Sequence, residues 1–311
     1  MLRGALLLAL TSLPAPEGGI GAELAELYRS DQADQAREDL GAEFGRRQKV
    51  RRDRVIEIVR AGELDRPIDY YHASMLLQHG DGVDDFLLAH VLATAAAFDG
   101  EKQGFFLSAA TLDRFLTRLK RPQRFGSQSF DPEGKDLGDV SRLLSEAIVQ
   151  VFRQKPPYPR SGLNGRPIDP KVRTRAALQV SGRKLAQAAK NVESQAKTKP
   201  EAVRPIVEAA LEIVDRGLLE QADDFCHAAL VLAHGQDADE LLLSHVLATA
   251  AGLLRHKQAR ALWAATLDRF LEALGRPPLF EPPAPAGEKP RKGLTLPDNV
   301  RAKFRPAAAK R

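Results

Sequence analysis

Six of the seven histidines fall into pairs 155 residues apart: His72 and His227, His79 and His234, His90 and His245. His72 and His79 are seven residues apart, which on a helix is two turns and one face. His90 opens the stretch that follows them. With Asp113, these three supply the nitrogen and carboxylate ligand types that zinc takes. Their spacing matches no metal-ligand signature, so no metal and no cofactor is expected. A second chemistry needs fewer groups. A carboxylate hydrogen-bonded to a histidine orients the imidazole for general-base work, and the same contact can simply lock two helices together. The catalytic set that the sequence offers is His79 as base, Asp113 as its orienter and Arg114 as an anion contact. Asp113 lies in the apolar stripe Leu112, Phe115 and Leu116, so it needs a donor wherever it is placed.

The pairing of the histidines is part of a longer repeat. QHGDGVDDFLLAHVLATAAA (Gln78–Ala97) returns as AHGQDADELLLSHVLATAAG (Ala233–Gly252), and residues 55–122 match residues 210–277 without a gap at about half of their positions. Such a period marks a duplicated unit, here too long for one standard helical repeat. Features that both copies keep follow from a shared fold. Features of one copy alone are not needed to make it. Copy one ends RPQRFGSQ (Arg121–Gln128) where copy two ends RPPLFEPP, and it has Gln78 where copy two has Ala233. It also carries DQADQARED (Asp31–Asp39) where the same offset in copy two reads AQAAKNVES. Gln78, Gln123, Phe125, Gly126, Ser127 and Gln128 are therefore the binding candidates, unless that loop merely packs on its own helices. His90 is carried with them, although its retention in both copies fits fold maintenance as well.

The elements that must position these residues are helices. In copy one Val55, Ile56 and Val59 make a stripe that ends at Gly62, and Tyr71, Met75 and Leu76 a second that ends at Gly80. Asp84 and Asp85 open a third helix, with acids at its positive end, that runs to Gly100. Phe105, Leu112, Phe115, Leu116 and Leu119 form a fourth, which stops before Pro122. Many alanines permit close helix approach. Short connections between four such helices imply an antiparallel bundle or stacked helical hairpins, hence an all-α chain with two tandem units.

The expected organisation is an export signal at 1–22, unit one at 23–130, and a helical, then Pro/Gly-rich basic linker at 131–200. Unit two follows at 201–280, with a disordered basic tail at 281–311. The linker is expected to include a short helix at Leu137–Phe152 and a basic one at Lys171–Ala196. Arg3 followed by the mostly apolar ten-residue stretch Gly4–Leu13 and Pro14 gives the export reading, with a segment too short to span a bilayer. Charge is segregated. Residues 153–199 hold 12 Lys/Arg against two acids and residues 282–311 hold 8 against two, so the overall +5 leaves the remainder at −11. A basic linker suits nucleic acid, anionic lipid or an acidic partner, or is simply a solvated face. The single cysteine, Cys226, excludes an internal disulfide and lies in an apolar helical context expected to bury it.

The residues singled out resemble an uncharacterised bacterial domain-of-unknown-function family (catalogue number 6624). Its pattern is similar to DQADQAR at Asp31–Arg37, QHGD at Gln78–Asp81, LDRFL at Leu112–Leu116 and PQRFGSQ at Pro122–Gln128. The resemblance covers roughly residues 23–128, and copy two departs from it at the DQ, QH and closing boxes. It implies a site in copy one and a degenerate copy two, and it names no reaction. The leading functional expectation is an exported helical-repeat protein that binds a protein or peptide. The alternatives are a hydrolase-like site in copy one and nucleic-acid binding through the linker and tail.

Overall fold

Apolar residues at helical spacing fold this chain almost entirely into helices. The computed structural model describes residues 18–37, 43–128, 140–153, 163–280 and 293–305. Among them there is no strand, only a single bridge between Ser145 and Arg166. The first unit consists of α1 (Ile20–Gln35), α2 (Phe44–Arg60), α3 (Pro67–Leu77), α4 (Val83–Phe98) and α5 (Gln103–Arg118). A short α6 (Glu146–Phe152) follows. The second unit comprises α7 (Arg175–Thr198), α8 (Val203–Asp215), α9 (Ala222–Leu232), α10 (Ala238–Leu253) and α11 (Ala259–Ala273), and α12 (Asp298–Ala302) comes last. The helices α9 and α10 begin and end 155 positions after α3 and α4.

The same local signals start the paired helices. Asp69, in the first turn of α3, accepts the Arg66 backbone N–H at 3.1 Å, and Asp224 does the same for Gln221 at 2.9 Å on α9. Each satisfies one of the donors that a helix N-terminus leaves over. Gly62 and Gly217 end α2 and α8 at φ 71° and 66°, a left-handed conformation that favours glycine. The helices α4 and α10 are buried along almost their whole length, which explains why both lack a polar face. A Cβ on Gly104 would stand 2.7 Å from the Ala93 carbonyl, so α5 lies close against α4.

The two units meet along α4 and α10. His90 and His245 are fully buried there, with their Nε2 atoms 3.0 Å apart, and Trp263 lies against both rings. Gly252 leaves room for the Phe98 ring, which a Cβ at that position would meet at 2.3 Å. Polar contacts rim the junction. Arg255 and Arg260 donate to the Phe98 carbonyl at 2.6 Å, and Arg124 pairs with Asp239 at 2.8 Å.

Three expectations about the segments outside the repeated helices change. The basic stretch placed in the linker is α7, which packs through Leu178, Leu185 and Val192 and belongs with α9 in the second unit. The helix itself was expected at Lys171–Ala196; what changes is its place, since its apolar positions recur at a helical interval and pack into the second unit. The tail, expected to be disordered, contributes residues 293–305. Leu296, Val300 and Phe304 are buried, and Phe304 stacks on Trp263 with ring centroids 4.1 Å apart. Asn299 Nδ2 donates to the carbonyls of Gly62 and Leu64, both at 3.0 Å. Within the short helix expected at 137–152, the helical part is Glu146–Phe152, and residues 140–145 are not helical. The export segment up to residue 17, the tail beyond 305 and residues 281–292 lie outside the described residues. No helix among the described residues is long and apolar enough to cross a membrane.

Candidate functional site

The expected partner of His79 was Asp113; the structure supplies Asp31 instead. His79 follows the C-terminus of α3, and its Nδ1 lies 3.1 Å from Asp31 Oδ2 on α1. Asp31 is fully buried and accepts from Gln48 Nε2 at 3.0 Å and Gln32 Nε2 at 3.2 Å. The Gln35 carboxamide lies 3.3 Å from the same His79 nitrogen. A carboxylate only accepts, so the contact calls for a proton on Nδ1, and in the neutral ring the lone pair is then on Nε2. Behind this dyad, Arg51 Nη2 donates to Asp34 at 2.7 Å, and Arg47 grips Asp34 at 2.8 and 3.2 Å. Arg47 and then Arg51 hold the Asp34 carboxyl down to about 2. Arg51 itself is buried and comes within 3.8 Å of Asp31. The DQ segment and the basic α2 thus form one ion-pair layer beneath His79.

His79 lines a cavity of about 290 Å³ together with Gln35, Gln48, Gln78, Arg52 and Arg114. Lys49, Phe44 and Asp81 stand on its rim. Arg52 is engaged by Asp81 at 3.0 Å and by Asp85 at 3.5 Å. Arg114 differs. It projects from α5, and its single described hydrogen bond runs from Nη1 to the Gln78 carbonyl at 3.4 Å. Its Nε is buried without a partner, and no carboxylate pairs with it among the described residues. Desolvation weakens its hold on its proton. A desolvated guanidinium facing a cavity lacks an anion, and a ligand can bring one.

Asp113, next to it, has another task. It accepts from the backbone N–H groups of Arg124 at 2.8 Å, Phe125 at 3.1 Å and Ser127 at 2.8 Å, and from the Ser127 hydroxyl at 2.8 Å. Burial raises its pKa, and these donors act in the opposite direction. Asp268 does the same in the second unit, accepting from Leu279 at 2.6 Å and Phe280 at 2.9 Å. Asp113 therefore pins the closing loop and does not orient His79.

The closing-loop candidates follow Asp113 into structure. Phe125 is fully buried against Phe152, and Gln123 Oε1 accepts the Gln128 N–H at 2.9 Å. Gly126 takes φ 59°, while Ser127 and the Gln128 side chain bond to one another at 3.1 Å. None of these residues lines the His79 cavity. His90 belongs to the junction between the units: its Nδ1 bonds to the Ser108 carbonyl at 2.8 Å, and it has no path to the cavity as a binding group. Burial pushes its pKa down to about 4. His72 stacks on Tyr28 at 4.5 Å, so the three histidines of the first unit go to three separate places. Among the described residues no three His, Cys, Asp or Glu groups gather as a metal would need. Cys226 is buried, and burial raises its thiol pKa to about 11.

Of the sequence candidates, the structure brings together His79, Arg114 and Gln78. It adds Asp31, Gln35, Gln48 and Arg52. The signal for these was present, since at the same offset copy two has Ala186, Lys190, Val203 and Val207. The second unit keeps His234 and Arg269, but Arg269 is exposed. Arg183, Lys184, Lys190 and Lys197 of α7 also face solvent. Comparison of the chain with protein-family models, with curated proteins and with solved structures gives no match.

Proposed function

We propose that this chain is an exported binding protein whose ligand site is the His79 cavity of the first unit. The ligand presents an oxyanion, carried by a peptide, a protein or a small molecule. The second unit and the 293–305 segment brace the first and carry no equivalent site. The observation behind this reading is Arg114, a largely buried guanidinium with one long bond to a carbonyl and no anionic partner. Natural interiors rarely retain such a group without a use, because an unpaired buried charge costs several kcal/mol by order of magnitude. Three glutamines in the cavity supply amide donors and acceptors that fix orientation, as small polar sites do.

Inorganic phosphate and acetate serve as probes. Phosphate is expected to raise the melting temperature in a concentration-dependent way. The rise should be abolished in Arg114→Met and unchanged in Arg269→Met. No rise with either anion up to about 50 mM, a ligand excess at which even weak binding stabilises, removes the oxyanion reading. Export is checked by fractionating cells that express the full chain.

A further inference from the structure

The cavity holds more than an anion contact. We propose that it is the active site of a metal-independent phosphoester hydrolase, in which His79 is the general base and Asp31 its positioning residue. This rests on the oxyanion reading and names the substrate class for the same site.

Internal comparison carries the inference. A fully buried carboxylate tied to a buried arginine is costly to fold around, and apolar groups of similar volume usually serve stability as well or better. The second unit has made that replacement. Where the first unit has Asp31, Asp34 and Arg51, the second has Ala186, Ala189 and Ile206 at the same offset. It nevertheless forms α9 and α10 over the equivalent residues, with the same first-turn aspartate bond on α9. The Asp31–His79 layer is therefore not a requirement of the fold. What it does is hold one imidazole with Nδ1 toward a carboxylate at 3.1 Å. That is the arrangement that fixes the tautomer of a catalytic histidine.

The other cavity groups select the reaction class. Arg114 is the cation without a carboxylate, Arg52 is shared with Asp81 and Asp85, Lys49 pairs with Asp53, and Gln35, Gln48 and Gln78 are amides. Such a set stabilises negative charge spread over several oxygens, as at a phosphoryl centre. No serine, threonine or cysteine is among the described lining residues, and with His79 as the base the nucleophile assigned is water. As the water oxygen bonds to phosphorus, the bond from phosphorus to the ester oxygen breaks. The water proton passes to His79 Nε2, and the imidazolium returns it to the departing alkoxide. The products are an alcohol and a phosphate with one ester bond fewer, and nothing is oxidised or reduced. Arg114 holds the non-bridging oxygens throughout.

The test uses the full chain with 4-nitrophenyl phosphate, bis(4-nitrophenyl) phosphate and 4-nitrophenyl acetate, alongside phosphate binding. Wild type is expected to hydrolyse at least one phosphoester without added metal and in the presence of chelator. His79→Gln should lower kcat by about a hundredfold or more, the range of general-base contributions. Asp31→Asn should lower kcat to a similar degree while phosphate affinity and KM change less than about threefold, since it acts through His79. Arg114→Met should lose phosphate binding, and His234→Gln should change nothing. His79→Gln bears the test if Asp31→Asn fails to fold. Phosphate binding without phosphoester turnover overturns the hydrolase and leaves the binding reading intact. Turnover that survives His79→Gln, or is confined to the acetate ester, overturns it as well. Loss of phosphate binding in wild type removes both readings.

Discussion

The Nε2 atoms of His90 and His245 lie 3.0 Å apart in the seam between the units, in full burial. Two imidazoles at this distance need one shared proton. His90 Nδ1 donates to the Ser108 carbonyl, and the His245 ring also meets the Thr266 hydroxyl and the Trp263 carbonyl. Desolvation opposes charging of either ring, the His90 ring down to about 4.

Acid should loosen the molecule through this pair. In the unfolded chain both rings take up a proton below the ordinary value of about 6.5. The folded chain resists until about pH 4 at His90, and burial likewise holds His245 well below its ordinary value. The unfolded state therefore binds more protons in this window, and stability is complete above pH 6.5 and falls as pH drops toward 4. His90 alone accounts for about 3 kcal/mol of that fall by pH 4. Urea midpoints at pH 7, 5.5 and 4.5 should decline, and His90→Phe should flatten the slope. An unchanged slope in the variant would show that other groups carry the acid sensitivity.

Asp113→Ala should destabilise by about 2–4 kcal/mol, because it leaves buried N–H groups of the closing loop without an acceptor. Asp268→Ala should cost a similar amount in the second unit. Neither replacement removes a group that lines the His79 cavity, so phosphate affinity should hold. Chemical denaturation and phosphate titration on the same samples check both halves of this expectation.

Arg114→Met should have the opposite profile. Phosphate binding disappears, yet the melting temperature in phosphate-free buffer stays level or rises, since a desolvated cation is exchanged for an apolar side chain of similar length. A fall of more than a few degrees would mean that the guanidinium is a structural strut.

Trp263 is the only tryptophan in the sequence, and it sits under Phe304 at the junction. Phe304→Ala should cost about 3–5 kcal/mol, the usual range for a buried phenylalanine. It should also shift tryptophan emission to the red by letting water reach the indole. Emission that stays at the wild-type wavelength would place the packing energy elsewhere.

The architecture was written in periodicities. The stripes through Val55–Val59, Tyr71–Leu76 and Phe86–Leu92 all became helices, because apolar positions three or four apart have one economical solution. The helix α7 was also legible as a helix, but its basic composition placed it in the linker and not in the packing of the second unit. The site was half legible. Comparison of the copies pointed to Gln78 and to the DQ segment, but it also pointed to the FGSQ loop, which serves packing. What decided between them was the carboxylate that His79 would meet. Asp113 was nearer in the motif order, while Asp31 on α1 reaches His79 only through the tertiary fold. Spacing along one helix could not show that.

Asn299 closes against Gly62, 237 residues upstream. A chain made from its N-terminus must therefore expose the Gly62–Tyr70 corner until Asn299 has emerged. The 293–305 segment reaches that corner only after both units have emerged. The first unit can form its cavity early, but the seam that joins it to the second is sewn last.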